Sequence, residues 1–301
     1  MAVVEKSFNQ GDIIFKEGDE GKSFYQLLKG KVAVYADYGK DDPFRLAVLE
    51  KGEFFGEMAI IEESPRSATI IAMSPVKVRE IPDNELYSFL KEEPEQIINL
   101  MKHIAGRITS MTNDYMDSKA LLKELKEAEA SKKKSLFSKI KKHIDTYQSN
   151  KNKIEAPEPE PQYESLEALK SDTSGNTETF TRGKIFFKSG EVGKSLYILK
   201  KGTVAFYSDY HKKDEVKKAE INALAVFGEM SLIDEQNRVF DAVAESDETT
   251  VEVIYREDIE SIMEHYPEKI DLIFRHLSFT LRSITVDFLK ICKEITENYG
   301  N

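Results

Sequence analysis

Residues 8–70 recur at 180–242 without a gap, offset by 172 residues, with 28 of 63 positions identical. Phe8, Gly11, Phe15, Lys16 and Gly18 return as Phe180, Gly183, Phe187, Lys188 and Gly190. Gly21-Lys22-Ser23 returns as Gly193-Lys194-Ser195, and Phe55-Gly56-Glu57-Met58 as Phe227-Gly228-Glu229-Met230. Chance does not produce this, and the period is far too long for a solenoid. Each copy is a whole domain. A length of 301 residues holds two of ordinary size. The pattern places one domain at 1–125, a charged helical and flexible linker at 126–179, and the second domain at 180–301.

Within each copy, short β-branched and aromatic runs alternate with glycine turns. Phe24–Leu28 and Lys31–Tyr35 flank Lys29-Gly30, and Ala68–Ala72 and Val76–Ile81 follow in the same style. Leu196–Leu199, Thr203–Tyr207 and Thr249–Ile254 repeat this in the second copy. Such spacing predicts an antiparallel barrel or jelly roll. Helical periodicity then takes over. Ile97, Met101, Ile104, Ile108 and Met111 mark one apolar face, and Ile270, Phe274, Leu277 and Leu281 another. The expected fold is therefore mainly β with α: two tandem β-barrels, each followed by helices of which one is long.

The linker has three parts. Residues 113–130 read as helix. Residues 131–144 carry six lysines and no acid, with Leu136, Phe137, Ile140 and Ile144 able to share a helical face. A basic amphipathic helix of this kind suits weak contact with an anionic membrane, or a solvated extension with some packing. Residues 155–161, with three prolines, read as extended, and Ser171–Thr179 as flexible.

The chemistry concentrates between Phe55 and Ile70. Gly56 permits a tight turn. Glu57–Ile61 suits one helical turn, whose free N–H groups attract an anion. Arg66, nine residues after Glu57, brings a planar fork suited to phosphate, and Ser67 adds a hydroxyl. An acid, a fork and exposed amides together suit a sugar phosphate. An isolated Arg–Glu pair is ordinarily a surface ion pair of little consequence, so the surroundings decide.

Those surroundings resemble the phosphate-binding cassette of the cyclic nucleotide-binding domain family. That family contains the bacterial catabolite activator protein and the regulatory subunits of cAMP-dependent protein kinase. The resemblance covers roughly 8–120 and 180–296. It implies that Glu57 accepts from the ribose 2′-hydroxyl and Arg66 pairs with the cyclic phosphate. Gly56 and the amides near Met58, Ala59, Ser67 and Ala68 complete the cradle. The long helix usually lies over the base, where Thr112 stands in a contact position. Met111 departs from the family's pattern, which leaves cAMP and cGMP both open. The second cassette keeps Gly228, Glu229, Met230, Ser231 and Arg238 but has Val239, Phe240 and Asp241 where the first has Ser67, Ala68 and Thr69. Val239 lacks the hydroxyl, and Asp241 is expected to bring negative charge near a phosphate. Unequal sites are expected, with a weak site, another ligand or a structural pseudo-domain open for the second copy.

Acidic residues outnumber basic ones by 54 to 43, for a net charge of −11, which argues against a nucleic-acid binder. About 14 residues follow Asp287, with no room for a helix-turn-helix, so no direct DNA binding is expected. No inhibitor-type Arg-Arg-x-Ala/Ser segment occurs. No Walker loop, zincin motif or cysteine pair occurs, so neither an NTPase nor a metal is expected. A lone cysteine, Cys292, and no apolar run of 18 residues fit a reducing cytoplasm. The expected function is a non-enzymatic receptor for cAMP or cGMP that repositions helices to control a protein effector, within a homodimer or a pseudo-dimer. A scaffold with degenerate domains, or a regulatory subunit of a separate enzyme, are the alternatives.

Overall fold

Among the described residues, glycine-marked turns divide each copy into eight strands. The computed structural model describes residues 4–36, 38–39, 43–57, 65–127, 136–155, 169–172, 175–233 and 237–300. In the first copy the strands are β1 (Val4–Phe8), β2 (Ile13–Phe15), β3 (Ser23–Lys29), β4 (Val32–Ala36), β5 (Phe44–Leu49), β6 (Phe54–Phe55), β7 (Thr69–Ala72) and β8 (Val76–Pro82). They form two antiparallel sheets, ordered β1-β8-β3-β6 and β2-β7-β4-β5. Tyr25, Leu27, Val32, Leu49, Phe55, Ile70 and Val78 fill the space between them. The second copy repeats this with β9 (Thr177–Phe180), β10 (Ile185–Phe187), β11 (Ser195–Lys201), β12 (Thr203–Ser208), β13 (Val216–Asn222), β14 (Ala225–Phe227), β15 (Asp241–Ala244) and β16 (Thr249–Tyr255). Its sheets run β14-β11-β16-β9 and β10-β15-β12-β13. Two four-stranded sheets around one apolar core make each copy the expected jelly roll.

β1 and β9 lie outside the predicted strands, and Thr177–Thr179 fell in the segment read as flexible. Val4-Glu-Lys-Ser and Thr177-Glu-Thr are exposed and, Val4 apart, polar. Backbone pairing of Val4–Phe8 with β8 and of Thr177–Phe180 with β16 holds them at the sheet edges. Such strands owe their existence to a neighbour's unpaired backbone groups, which hydropathy patterning does not report.

The helices are α1 (Leu86–Glu92), α2 (Glu95–Glu127), α3 (Phe137–Glu155), α4 (Glu229–Ile233), α5 (Ile259–His265) and α6 (Pro267–Tyr299). The chain divides into two compact units. The first comprises 1–89, 106–160 and 277–301, and the second 90–105 and 161–276. In the first unit, Leu121, Leu122 and Leu125 of α2 pack with Leu136 and Ile140 and with Ile295 of α6. Ile144, Ile291 and Tyr299 lie against them. Leu136, Ile140 and Ile144 of the lysine-rich stretch therefore pack within a helical bundle, while 131–135, which hold three of its six lysines, lie outside the described residues. The extended reading of 155–161 lies, beyond the end of α3 at Glu155, outside the described residues. Among the described residues no helix is long and apolar enough to cross a membrane.

Candidate functional site

In both copies a short strand ends at the Phe of Phe-Gly-Glu and the cassette continues from there. Gly56 has φ +81° and Gly228 φ +77°, a left-handed conformation that suits glycine. Space demands glycine as well. A Cβ at Gly56 would stand 2.6 Å from Arg66 Nη1 and 3.2 Å from the Phe15 ring. At Gly228 the same atom would stand 2.7 Å from Arg238 Nη1 and 3.2 Å from Phe187. The glycines let an arginine fork press against the backbone.

The two arginines rest in the same way. Arg66 donates from Nη1 to the Gly56 carbonyl at 2.7 Å and from Nη2 to the Ser23 carbonyl. Its guanidinium lies 4.2 Å from the Phe15 ring centroid. Arg238 donates to the Gly228 carbonyl, and to the Ser195 carbonyl at 2.6 Å, and lies 4.1 Å from the Phe187 centroid. Both side chains are 5% exposed. Burial lowers both pKa values below the ordinary arginine range, yet arginine remains charged. Each is a desolvated cation neutralised in part by carbonyl dipoles, suited to an anion that brings full charge.

The copies then differ. Arg66 Nε is buried and has no hydrogen-bond partner among the described residues. Arg238 instead gives Nη1 to the Ser231 hydroxyl as well, at 2.5 Å. Ser231 is buried on α4, the short helix that begins at Glu229. The first copy has Ala59 at this position, which carries no hydroxyl. Met58 and Ala59, with the rest of 58–64, lie outside the described residues. Met230 is half-buried on α4.

The carboxylates also differ in company. Glu57 is 1% exposed, and its Oε1 lies 2.9 Å from Arg107 Nη1 on α2. Glu229 has His276 Nε2 at 3.6 Å. An insertion of one residue between β15 and β16 makes the later offset 173, so Thr280 corresponds to Arg107. The arginine–carboxylate form of the helix–cassette contact therefore belongs to the first copy, whereas the second copy reaches Glu229 from α6 through His276. Arg107 sits 50 residues after Glu57 in sequence, and no local motif announces it.

Other expected residues sort as follows. Ser67 is exposed and Ala68 buried just before β7. Thr112 is half-buried and donates to the Ile108 carbonyl of its own helix at 2.8 Å. Val239 is 73% exposed and Phe240 36%. Asp241 departs from expectation. Its Oδ1 accepts from the Ser189 N–H at 2.9 Å and Oδ2 from the Tyr210 N–H at 3.0 Å. Thr69 takes the corresponding bond, from the Glu17 N–H at 3.0 Å. Asp241 thus fastens the strand to two loops through backbone donors.

A protein-family comparison matches the cyclic nucleotide-binding domain at residues 5–93 and 177–266. The chain belongs to that family and carries two of its domains. It is 36% identical over 108 residues to human cGMP-dependent protein kinase 2, covering 36% of this chain and 14% of that protein. It is 38% identical over 89 residues to a cAMP-dependent protein kinase regulatory subunit of Hypocrea atroviridis, covering 30% and 18%. The chain thus spans under a fifth of these relatives' own length in the matched region. Among solved structures it is similar to the regulatory domain of Toxoplasma gondii PKA with cAMP, at 17% identity and TM-score 0.29, covering 89% of this chain and 86% of that one.

Proposed function

We propose that the chain is a non-enzymatic cytoplasmic receptor for cAMP or cGMP, with the first copy as the responding site. The observation that carries this reading is the Glu57–Arg107 pair. It joins the carboxylate that would take the ribose hydroxyl to a side chain of a 33-residue helix. A sugar hydroxyl arriving at Glu57 would share with Arg107 a carboxylate that already holds the helix. Ligand affinity and the position of α2 are then linked, because a ligand shifts an equilibrium only through contacts that differ between the two states. Gly56, Glu57, Met58, Ala59, Arg66, Ser67 and Ala68 would form the first site, with Thr112 nearer the base. The second site would use Gly228, Glu229, Met230, Ser231, Arg238 and Val239 and bind more weakly, or another ligand.

The output would be a protein effector, and a partner enzyme regulated in trans fits best. The family match covers sensor domains, and the fungal relative is by name a regulatory subunit. A homodimer remains a second route to the same output. The test is calorimetric titration with cAMP and cGMP, followed by capture of binding proteins with and without the nucleotide that binds. Nucleotide-dependent capture of an enzyme supports the reading. Nucleotide-insensitive capture makes the chain a scaffold.

A further inference from the structure

In the second unit three buried charged groups meet a partly exposed fourth. Lys200 on β11 is 3% exposed, Lys269 in the first turn of α6 is fully buried, and Glu252 on β16 is 2% exposed. Lys200 Nζ lies 2.7 Å from Glu252 Oε2, and Lys269 Nζ lies 2.7 Å from Glu252 Oε1. Asp172, in the segment leading into the barrel, places Oδ2 2.9 Å from Lys269 and 3.5 Å from Lys200. Its carbonyl accepts from Lys200 as well. The Lys269 ammonium sits 4.5 Å over the Tyr266 ring. Burial alone would lower the Lys269 pKa, and the bonds to Asp172 and Glu252 reverse that and hold it above its ordinary value. Gly175 lets the chain pass, since a Cβ there would stand 1.9 Å from Glu252 Oε1.

Two lysines and two carboxylates are neutral together, yet an apolar filling would serve stability equally well. The first copy has Leu28, Arg79 and Gln96 at the positions of Lys200, Glu252 and Lys269. Three coordinated differences have produced a network that joins three separate elements. A leucine packs against whatever is near, whereas a buried ammonium tolerates only an arrangement that keeps its carboxylates. We infer that this cluster is a latch, holding the lead-in segment 169–172 and the first turns of α6 to the barrel and locking the barrel–helix junction of the second copy.

Hydrogen exchange on the full-length chain tests this, comparing wild type with Lys269→Gln and with a triple variant. The triple variant, Lys200→Leu with Glu252→Arg and Lys269→Gln, installs the first copy's residues and orphans no lysine. The expected result is exchange faster by about tenfold or more in 169–172 and 259–276, with β11 and β16 unchanged, because local opening reports local contacts. The same rates in wild type and triple variant would overturn the latch. So would equal loosening of the whole unit, which marks a merely structural cluster. Should Lys269→Gln fail to fold, the triple variant decides alone.

Discussion

The two copies hold their cassette arginines alike and differ in what else reaches them. Both forks rest on a glycine carbonyl, a serine carbonyl and a phenylalanine ring. In the first copy the guanidinium keeps a buried Nε without a hydrogen-bond partner among the described residues, and the neighbouring Glu57 is tied to a long helix. In the second, Ser231 takes a further N–H and the cassette rim turns apolar at Val239 and Phe240. Arg238 therefore spends on its own fold an N–H bond to a serine hydroxyl at a position where the first copy has Ala59. Duplication kept the scaffold of the site, and divergence acted on the groups that decide how much of the arginine remains for a ligand.

The largest expected effect is from Arg66→Ala. Truncating one partner of a desolvated charge pair costs ~2–5 kcal/mol, so nucleotide affinity falls by about 30-fold or more. Arg238→Ala leaves the tight binding event unchanged. Equal losses from the two variants, read by calorimetry, would erase the distinction between the copies.

Gly56→Ala and Gly228→Ala come next. Each places a Cβ against an arginine at a positive φ, and strain of this kind costs ~1–3 kcal/mol. Thermal unfolding is expected to show similar destabilisation for both, while only Gly56→Ala weakens tight binding. A smaller change separates the forks directly. Ser231→Ala returns one N–H to Arg238, and a net hydrogen bond is worth ~0.5–1.5 kcal/mol. Affinity at the second site should rise about 3- to 10-fold, and Ala59→Ser should lower it at the first by a similar factor.

The smallest effect concerns the bundle of the first unit. His143 lies 2.8 Å from Ser118 Oγ and donates to the Lys139 carbonyl at 2.7 Å, with Lys142 and Asp114 as its charged neighbours. Burial lowers its pKa below the ordinary value. The unfolded chain therefore binds the proton more readily, and stability falls as pH drops below about 6.5, by at most ~1.4 kcal/mol per pH unit. His143→Gln should flatten that slope in pH-dependent melting. A slope that survives the substitution would place its origin elsewhere.

Much of this was legible in the sequence. The repeat, the glycine turns and the switch from strand to helix periodicity define the jelly rolls, because each is a local pattern. Glu57 and Arg66 stood out through the residues around them, which resemble a phosphate-binding cassette, and not through their spacing alone. What the arginines rest on did not, since a backbone carbonyl at Gly56 or Ser23 has no side-chain signature. Arg107 and Asp241 were illegible for a related reason. Their partners lie 50 and 52 residues away in sequence, brought near by the fold. The buried cluster of Lys200, Glu252 and Lys269 reads in sequence as ordinary surface charge. Only the register of β11 on β16 and the seating of α6 bring its members together.

The central claim is that the two cassettes are unequal, with the first as the receptor. Calorimetric titration of the intact chain with cAMP and with cGMP measures this most directly. The account predicts one tight binding event per chain for the recognised nucleotide, followed by a weak event or none. Two tight events of equal affinity would contradict it.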